Sequence, residues 1–251
     1  MRIRGVTDRI RLSDGTGGPP RLIVKEVLAA ARGLLFRGDK YECSCCGRTF
    51  SQFLYSTYLT ARCPYCLSIE RYRLLCRFLR EETDFGKSHM TVLDIGPIWC
   101  FQEFCRSLDS IEYVSVDISS PLAMHHMDIK DLMFEDSSFD CIICYHVLEH
   151  IDDDRKALSE LYRVLKPGGW GIIQVPIQLE KTVDRSILTK KEQDEILRWP
   201  DHLRAYGRDY PEILASAGFN VEVRPYVRKF SAEEITRYGF DASEDIHVCT
   251  K

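Results

Sequence analysis

Thr91-Val92-Leu93-Asp94-Ile95-Gly96 reads as an apolar strand that ends in an acid and turns through glycine, and Val114-Ser115-Val116-Asp117 reads as a second strand ending in an acid. A helical segment lies between them. A strand whose carboxyl end turns through glycine into a helix, with a carboxylate about twenty residues on, is how doubly wound α/β folds hold a nucleoside.

The rest of the chain can be placed relative to this stretch. Met127-Asp128-Ile129-Lys130-Asp131-Leu132 reads as a short third strand or loop carrying an acid. Phe139 to Tyr145 is a continuous apolar run, expected of a strand buried on both faces, and it leads into His146-Val147-Leu148-Glu149-His150. A helix follows, opened by Asp152, Asp153 and Asp154, where acids suit the positive helix end, and stopped by Lys166-Pro167-Gly168-Gly169. Its apolar face is Ala157, Leu158, Leu161, Tyr162 and Leu165, and Trp170 to Val175 is the next strand. This alternation predicts a mostly parallel sheet. Residues 177 to 210 break the rhythm with a polar excursion through Trp199 to Gly207, beyond the carboxyl ends of the strands, where ligands sit in open α/β sheets. A helix from Tyr210 to Ala217 capped by Gly218 and strands over Phe219–Val227 and Ile246–Cys249 complete the pattern.

Upstream, residues 1 to 20 lack periodicity and end in breakers, which predicts a loose tail. Leu22, Ile23, Val27, Leu28, Leu34 and Leu35 follow helical spacing. Cys43-Ser44-Cys45-Cys46-Gly47 and Cys63-Pro64-Tyr65-Cys66 then give C-x2-C, sixteen residues, C-x2-C. Zinc takes four soft ligands at tetrahedral corners, and each such turn supplies two thiolates from one knuckle. Cys43, Cys46, Cys63 and Cys66 are the expected ligands; Cys45 could replace a neighbour, but Gly47 favours Cys46. With all four positions filled by protein, the site is expected to be structural. Glu70 to Leu79 reads as a helix leaving this region, with Arg71 or Arg73 placed to reach the ligand mouth.

Composition bounds the function. No run of about eighteen apolar residues and no signal-peptide pattern is present, which predicts a soluble, cytoplasmic protein with no membrane insertion. The eleven cysteines are an odd count, so full internal disulfide pairing is impossible and paired motifs point to metal. Residues 1 to 80 carry 15 Lys/Arg against 6 Asp/Glu, whereas the remainder carries 19 against 32. A basic front on an acidic body allows nucleic acid as a partner without favouring it, because the arginines are scattered and no arginine-aromatic block is present. The oligomeric state is not legible.

Taken in order, Val92–Gly96, Asp117, Asp128, Phe139-Asp140, His146–His150 and Leu161-Tyr162-Arg163-Val164-Leu165-Lys166-Pro167-Gly168-Gly169 resemble class I S-adenosylmethionine-dependent methyltransferases of the type 11-like kind. With the cysteine region, Ser68–Leu75 and Asp201-His202-Leu203-Arg204-Ala205-Tyr206-Gly207, the whole chain looks like a bacterial group that joins such an enzyme to a four-cysteine zinc ribbon. The resemblance implies a Rossmann-like doubly wound, mostly parallel seven-stranded sheet with a small N-terminal zinc-ribbon-like domain. The expected parts are a tail over 1–20, a helix and zinc-binding region over 21–80, and a methyltransferase domain over 81–251 with 177–210 as a substrate-side insertion.

The resemblance further implies that S-adenosylmethionine is bound and S-adenosylhomocysteine released. Asp117 would take the ribose hydroxyls with Ile118 beside it, Asp128 the adenine amino group with Ile129 against the ring, and Gly96 and Pro97 the methionine part. Asp94 would orient that loop or, through water, the ammonium group, and Cys144 and Tyr145 would line the sulfonium pocket. The usual turn continues with two more glycines, whereas Ile98 and Cys100 occupy those positions here. His202 is the expected base or substrate anchor and His146 the second candidate, with Arg204, Tyr206 and Arg73 as substrate contacts. The leading expectation is methylation of oxygen or nitrogen on a small or medium-sized metabolite, a natural-product or cell-envelope intermediate. An RNA or protein methyltransferase docking through the basic ribbon is the second, and a non-catalytic cofactor-binding assembly module the third.

Overall fold

The computed structural model describes residues 19–55, 61–197 and 199–251. The main sheet holds seven strands: β1 (Met90–Ile95), β2 (Ile111–Asp117), β3 (His125–His126), β4 (Phe139–Tyr145), β5 (Leu165–Gln174), β6 (Asn220–Arg224) and β7 (Ile246–Thr250). Their order is β6-β7-β5-β4-β1-β2-β3, parallel except for β7, which runs antiparallel to both β5 and β6. The strand order reverses between β1 and β4, which opens a crevice at the carboxyl ends of the central strands. This agrees with the α/β expectation from the alternation of elements.

Every residue of β1 is buried, as a strand covered on both faces requires. Val92, Cys141, Ile143 and Tyr145 pack into one apolar cluster, and Leu93, Ile95, Ile142 and Cys144 into a second. The first is covered by α2 (Glu70–Glu82) and α3 (Trp99–Arg106), the second by α4 (Asp154–Val164) and α5 (Tyr210–Ser216). Asp153 caps α4 by accepting from the Lys156 amide at 3.0 Å.

Several boundaries differ from expectation. The helix expected after residue 20 begins at Pro19, so α1 is Pro19–Leu35; proline suits a helix start, where its missing N–H costs nothing. The remainder of the proposed tail, residues 1–18, lies outside the described residues. The third strand is His125–His126, and Asp128 stands in the turn after it. Strand β5 starts at Leu165, before the breakers Pro167 and Gly168, with a register shift against β4 that accommodates them. The strand expected over 219–227 ends at Arg224, and a further helix, α6 (Ala232–Tyr238), follows, opened by a capping box between Ser231 and Glu234. The 177–210 excursion forms its own three-stranded sheet, with Arg204–Gly207 between Ile177–Leu179 and Val183–Asp184.

The cysteine region consists of two short antiparallel hairpins, Arg37–Glu42 with Thr49–Phe50 and Leu54–Tyr55 with Ala61–Arg62. Phe50, Phe53 and the cysteines share one apolar cluster with α2, α3 and the sheet face they cover. Among the described residues no helix is long and apolar enough to cross a membrane.

Candidate functional site

The crevice between β1 and β4 is built by one glycine and one half-used carboxylate. Gly96 has φ +68°, the left-handed region, and donates its amide to Val116 O at 2.9 Å. A Cβ there would come within 2.9 Å of Val147 Cγ2 and within 4.0 Å of Asp117 Oδ2. The loop therefore brings bare backbone against the end of β2. Asp117 uses Oδ1 to accept from the amides of Ser119 and Ser120 at 2.8 and 2.6 Å, which fixes the carboxylate while Oδ2 is directed towards Gly96. Ile118 beside it is 70% exposed, an apolar side chain in position to cover a planar ligand. Asp128 accepts from the Lys130 amide at 2.9 Å and Ile129 is buried, while Lys130 also pairs with Asp152 at 2.6 Å.

Pro97 and Ile98 precede α3, whose first turn places Cys100 in the core. Of the two positions that lack glycine, Ile98 is the extended N-cap of α3, with φ −118°, and Cys100 lies in its first turn, so neither needs left-handed backbone. Asp94 is buried under α3 and accepts from the Tyr113 hydroxyl at 2.5 Å. Burial raises its pKa to about 7, partly offset by that hydrogen bond.

At the end of β4, Cys144 is fully buried on the α4 side, whereas Tyr145 packs against Tyr72 of α2. The Tyr145 hydroxyl donates to Glu244 at 2.8 Å. His146 follows with φ +59°, an unusual backbone for a residue with a side chain and a recognised mark of a constrained site. Its Nδ1 lies 3.4 Å from Glu149 Oε1 and its Nε2 3.3 Å from Glu244 Oε1. Burial alone would lower its pKa, but the two carboxylates outweigh it and the net shift is upward.

His146 lines a cavity of about 1110 Å³ that runs over the carboxyl ends of β4 and β5, together with Arg71, Gln174, Gln178, Arg208, Glu244 and His247. Five carboxylates and three guanidiniums lie on its wall. Arg71 Nε and Gln178 Oε1 are buried without a hydrogen-bond partner, so the wall presents an unmet donor and an unmet acceptor.

His202 does not line this cavity. It is buried with its ring edge-on to His150, centroids 4.9 Å apart, on the far side of Glu149, and burial lowers its pKa. The excursion is pinned there by the Leu203 amide, which donates to Glu149 O at 2.7 Å.

Three expected substrate contacts are corrected. Arg73 is fully buried, and its guanidinium donates to the carbonyls of Tyr238, Ala61, Ser68 and Gly239 at 2.6–2.8 Å. It braces the cysteine region against α6; its neighbour Arg71 faces the cavity instead, two residues away on the helix surface. Arg204 pairs with Asp154 at 2.9 Å and Asp184 at 2.6 Å, and the Tyr206 hydroxyl donates to Asp154 at 2.8 Å. A helix-start carboxylate thus anchors the excursion, and neither side chain lines the cavity. Glu149 and Glu244 are the site residues that sequence reasoning missed, whereas of the two arginines expected at the ligand mouth it is Arg71 that lines the cavity. Glu149 lies within the His146–His150 segment, whereas nothing local to Glu244 marks it.

The four cysteines named from spacing come together. Cys43 and Cys66 sulfurs are 3.6 Å apart, Cys46 and Cys63 sulfurs 3.8 Å, and all four lie within 4.8 Å of one another. Tetrahedral bonds of about 2.3 Å place sulfurs roughly 3.8 Å apart, so the donor set fits a single ion. The knuckles match: Gly47 and Leu67, both with positive φ, donate to Cys43 O and Cys63 O. Hydrogen bonds that Cys46 and Cys63 donate to Cys43 push their thiols upward, while Cys43 and Cys66 are shifted downward, so the four do not ionise together without a cation. Cys45 turns away, its thiol donating to Tyr72 O at 3.3 Å.

Residues 86–173 match the family model described as a methyltransferase domain. Over 111 residues, 44% of its length, the chain is 32% identical to a probable S-adenosylmethionine-dependent methyltransferase of Mycolicibacterium smegmatis, covering 37% of that protein. It is 30% identical over 99 residues, 38% of its length, to the ubiquinone/menaquinone biosynthesis C-methyltransferase of an Enterobacter species, covering 35% of it. The chain thus spans little more than a third of the length of these curated relatives. Among solved structures, a SAM-dependent methyltransferase from Archaeoglobus fulgidus superposes with TM-score 0.51 at 20% identity, over 71% of this chain and 93% of that one, a likeness of fold. The stretch matched by the family model runs from β1 into β5, the strands that build the crevice, and is similar to a methyltransferase domain.

Proposed function

We propose that the protein transfers the methyl group of S-adenosylmethionine to oxygen or nitrogen of a small or medium-sized metabolite, a natural-product or cell-envelope intermediate. The observation that carries this is Asp117: a strand-end carboxylate with one oxygen fixed by two amides and the other directed at the bare backbone of Gly96. Such a carboxylate suits the two adjacent hydroxyls of a ribose. Asp128 and Ile129 would hold the adenine, Ile118 would cover it, and Gly96 and Pro97 would face the methionine part. When bound, the cofactor supplies a methyl group already activated on a sulfonium, so the protein has to align the acceptor and manage one proton.

His146 is the base that the geometry favours. It sits on the wall of the acceptor cavity, one residue from Val147 over Gly96; with Glu149 holding Nδ1, its Nε2 would turn from Glu244, 3.3 Å away, to take the acceptor's proton. His202, behind Glu149, would act on the acceptor only through it. Arg71 and Gln178, with their unmet donor and acceptor, would orient the acceptor. The acid-rich wall favours a neutral or cationic acceptor over a polyanion, which argues for a metabolite rather than RNA. The four-cysteine cluster would hold zinc as a structural ion.

The test is calorimetric titration of the zinc-loaded full chain with S-adenosylmethionine and S-adenosylhomocysteine, beside Asp117→Ala. Binding of both ligands, lost in the variant, is expected. A folded wild-type protein that binds neither would overturn the reading in favour of an assembly module. Transfer to carbon, RNA or protein in an acceptor screen would move the acceptor class while leaving the cofactor site in place.

A further inference from the structure

Beyond the acceptor cavity, a second group of donors meets where the excursion crosses the turn after β4. Leu148–His150 forms a single 3-10 turn, which aims Glu149 inward and leaves His150 partly exposed. The segment 201–203 crosses it, held by the Leu203 amide on Glu149 O and by Arg185, which donates to the carbonyls of Pro200 and His202. One oxygen of Glu149, one nitrogen of His150 and one of His202 thereby lie within 4.8 Å of one another.

Glu149 is 2% exposed. Its Oε1 is taken by His146, but Oε2 is buried with no hydrogen-bond partner, although buried carboxylate oxygens are almost always satisfied. His150 has its Nδ1 on Asp201, 3.2 Å from the carbonyl and 3.3 Å from the carboxylate, which leaves Nε2 as its free ring nitrogen. A carboxylate or carbonyl on the far nitrogen is the usual support of a metal-bound histidine.

We infer that Glu149, His150 and His202 form a site for a divalent transition-metal ion of the zinc, cobalt and iron(II) group, separate from the four-cysteine cluster. Two imidazoles and one carboxylate select these ions over magnesium or calcium, which take oxygen donors. Bonds of about 2.0–2.2 Å require donor atoms roughly 3.0–3.6 Å apart, so the three side chains close by rotation with the backbone in place. Three protein ligands leave a coordination position for water or a ligand atom. The ion would fasten the excursion across the turn that carries His146. The inference is independent of the methyl-transfer reading, since it rests on donors outside the nucleoside crevice.

The test uses the full chain with its cysteine cluster saturated by zinc, titrated with Co²⁺. One further equivalent is expected to bind with weak visible absorption and no thiolate charge-transfer band. Its affinity should fall at least roughly tenfold in His150→Gln and further in His202→Gln and Glu149→Gln. Metal should also slow hydrogen exchange of the amides of residues 201–204 in the wild type. His150→Gln changes a partly exposed side chain and keeps the test valid if a buried variant fails to fold. No further equivalent at millimolar Co²⁺, unchanged affinity in all three variants, or a thiolate band on the added cobalt would each overturn the inference.

Discussion

Arg73 and Asp117 are both charged side chains predicted to meet a ligand, and the structure gives them opposite environments. Around Arg73 the guanidinium meets four backbone carbonyls drawn from Ala61, Ser68, Tyr238 and Gly239, and its face lies 4.3 Å over Phe53. The hydrogen bonds close on themselves and nothing is left for a ligand. Around Asp117 two amides fix one oxygen, and the other faces a glycine that only a small backbone profile can serve. Asp140, bonded to Thr91 and Lys166 at the amino end of the sheet, and Arg204, bonded to Asp154 and Asp184, belong with Arg73. Glu149 and Arg71 belong with Asp117, each with a buried atom lacking a partner. Saturation marks a brace, and an unmet atom held rigidly marks a place where something binds.

The contrast is broken most severely at Arg73. Arg73→Ala strands buried carbonyls on both sides of the brace and should cost on the order of 3–5 kcal/mol, read as a large fall in the urea midpoint. Arg73→Lys should recover only part of it, because a single ammonium cannot span four carbonyls. If Arg73→Ala unfolds like the wild type, saturation does not measure structural weight.

Asp117→Ala should do the reverse. Cofactor affinity should drop by about 1.5–3 kcal/mol, at least tenfold, while the unliganded melting temperature stays near that of the wild type. A large loss of stability with affinity retained would place Asp117 among the braces.

Asp94 sharpens the comparison, being buried yet only half provided for. Its folded pKa of about 7 lies above the ordinary 3.8, so the neutral form is the one that folding favours. The stability contributed by the neutral carboxyl is therefore present below pH ~4, is lost as pH rises towards 7, and stays lost above it. Asp94→Asn should then be more stable than the wild type at pH 8, by about 1–2 kcal/mol once the cost of placing the amide's extra donor is counted, and the advantage should vanish near pH 4. A pH-independent difference between the two proteins would sink this account.

The smallest effect is expected far from the crevice. Ser231→Ala removes the capping box that starts α6 and should cost roughly 0.5–1 kcal/mol in chemical unfolding, with cofactor binding unchanged. A change in cofactor affinity there would mean that α6, which meets Arg73 through Tyr238, transmits strain to the crevice.

The sequence by itself determined whatever depends on neighbours along the chain. Hydrophobic runs and breakers placed β1, β2, β4 and α4, because a strand buried on both faces must be apolar throughout and an amphipathic helix must repeat every three to four residues. The cysteine spacing named four sulfurs that do converge, because each knuckle is a local turn closed by its own backbone bonds. Tertiary structure alone decided what the long polar side chains do. Arg71 and Arg73 stand two residues apart on one helix and therefore point to different sides, one to the cavity and one to the brace. Glu244 reached His146 and Tyr145 across the fold, Asp154 rather than a ligand claimed Arg204 and Tyr206, and His202 joined Glu149 and His150 only because the excursion folds back over the turn after β4. Hydrogen bonds between distant segments leave no periodicity in the sequence, so partners of this kind are fixed only when the core has brought those segments together.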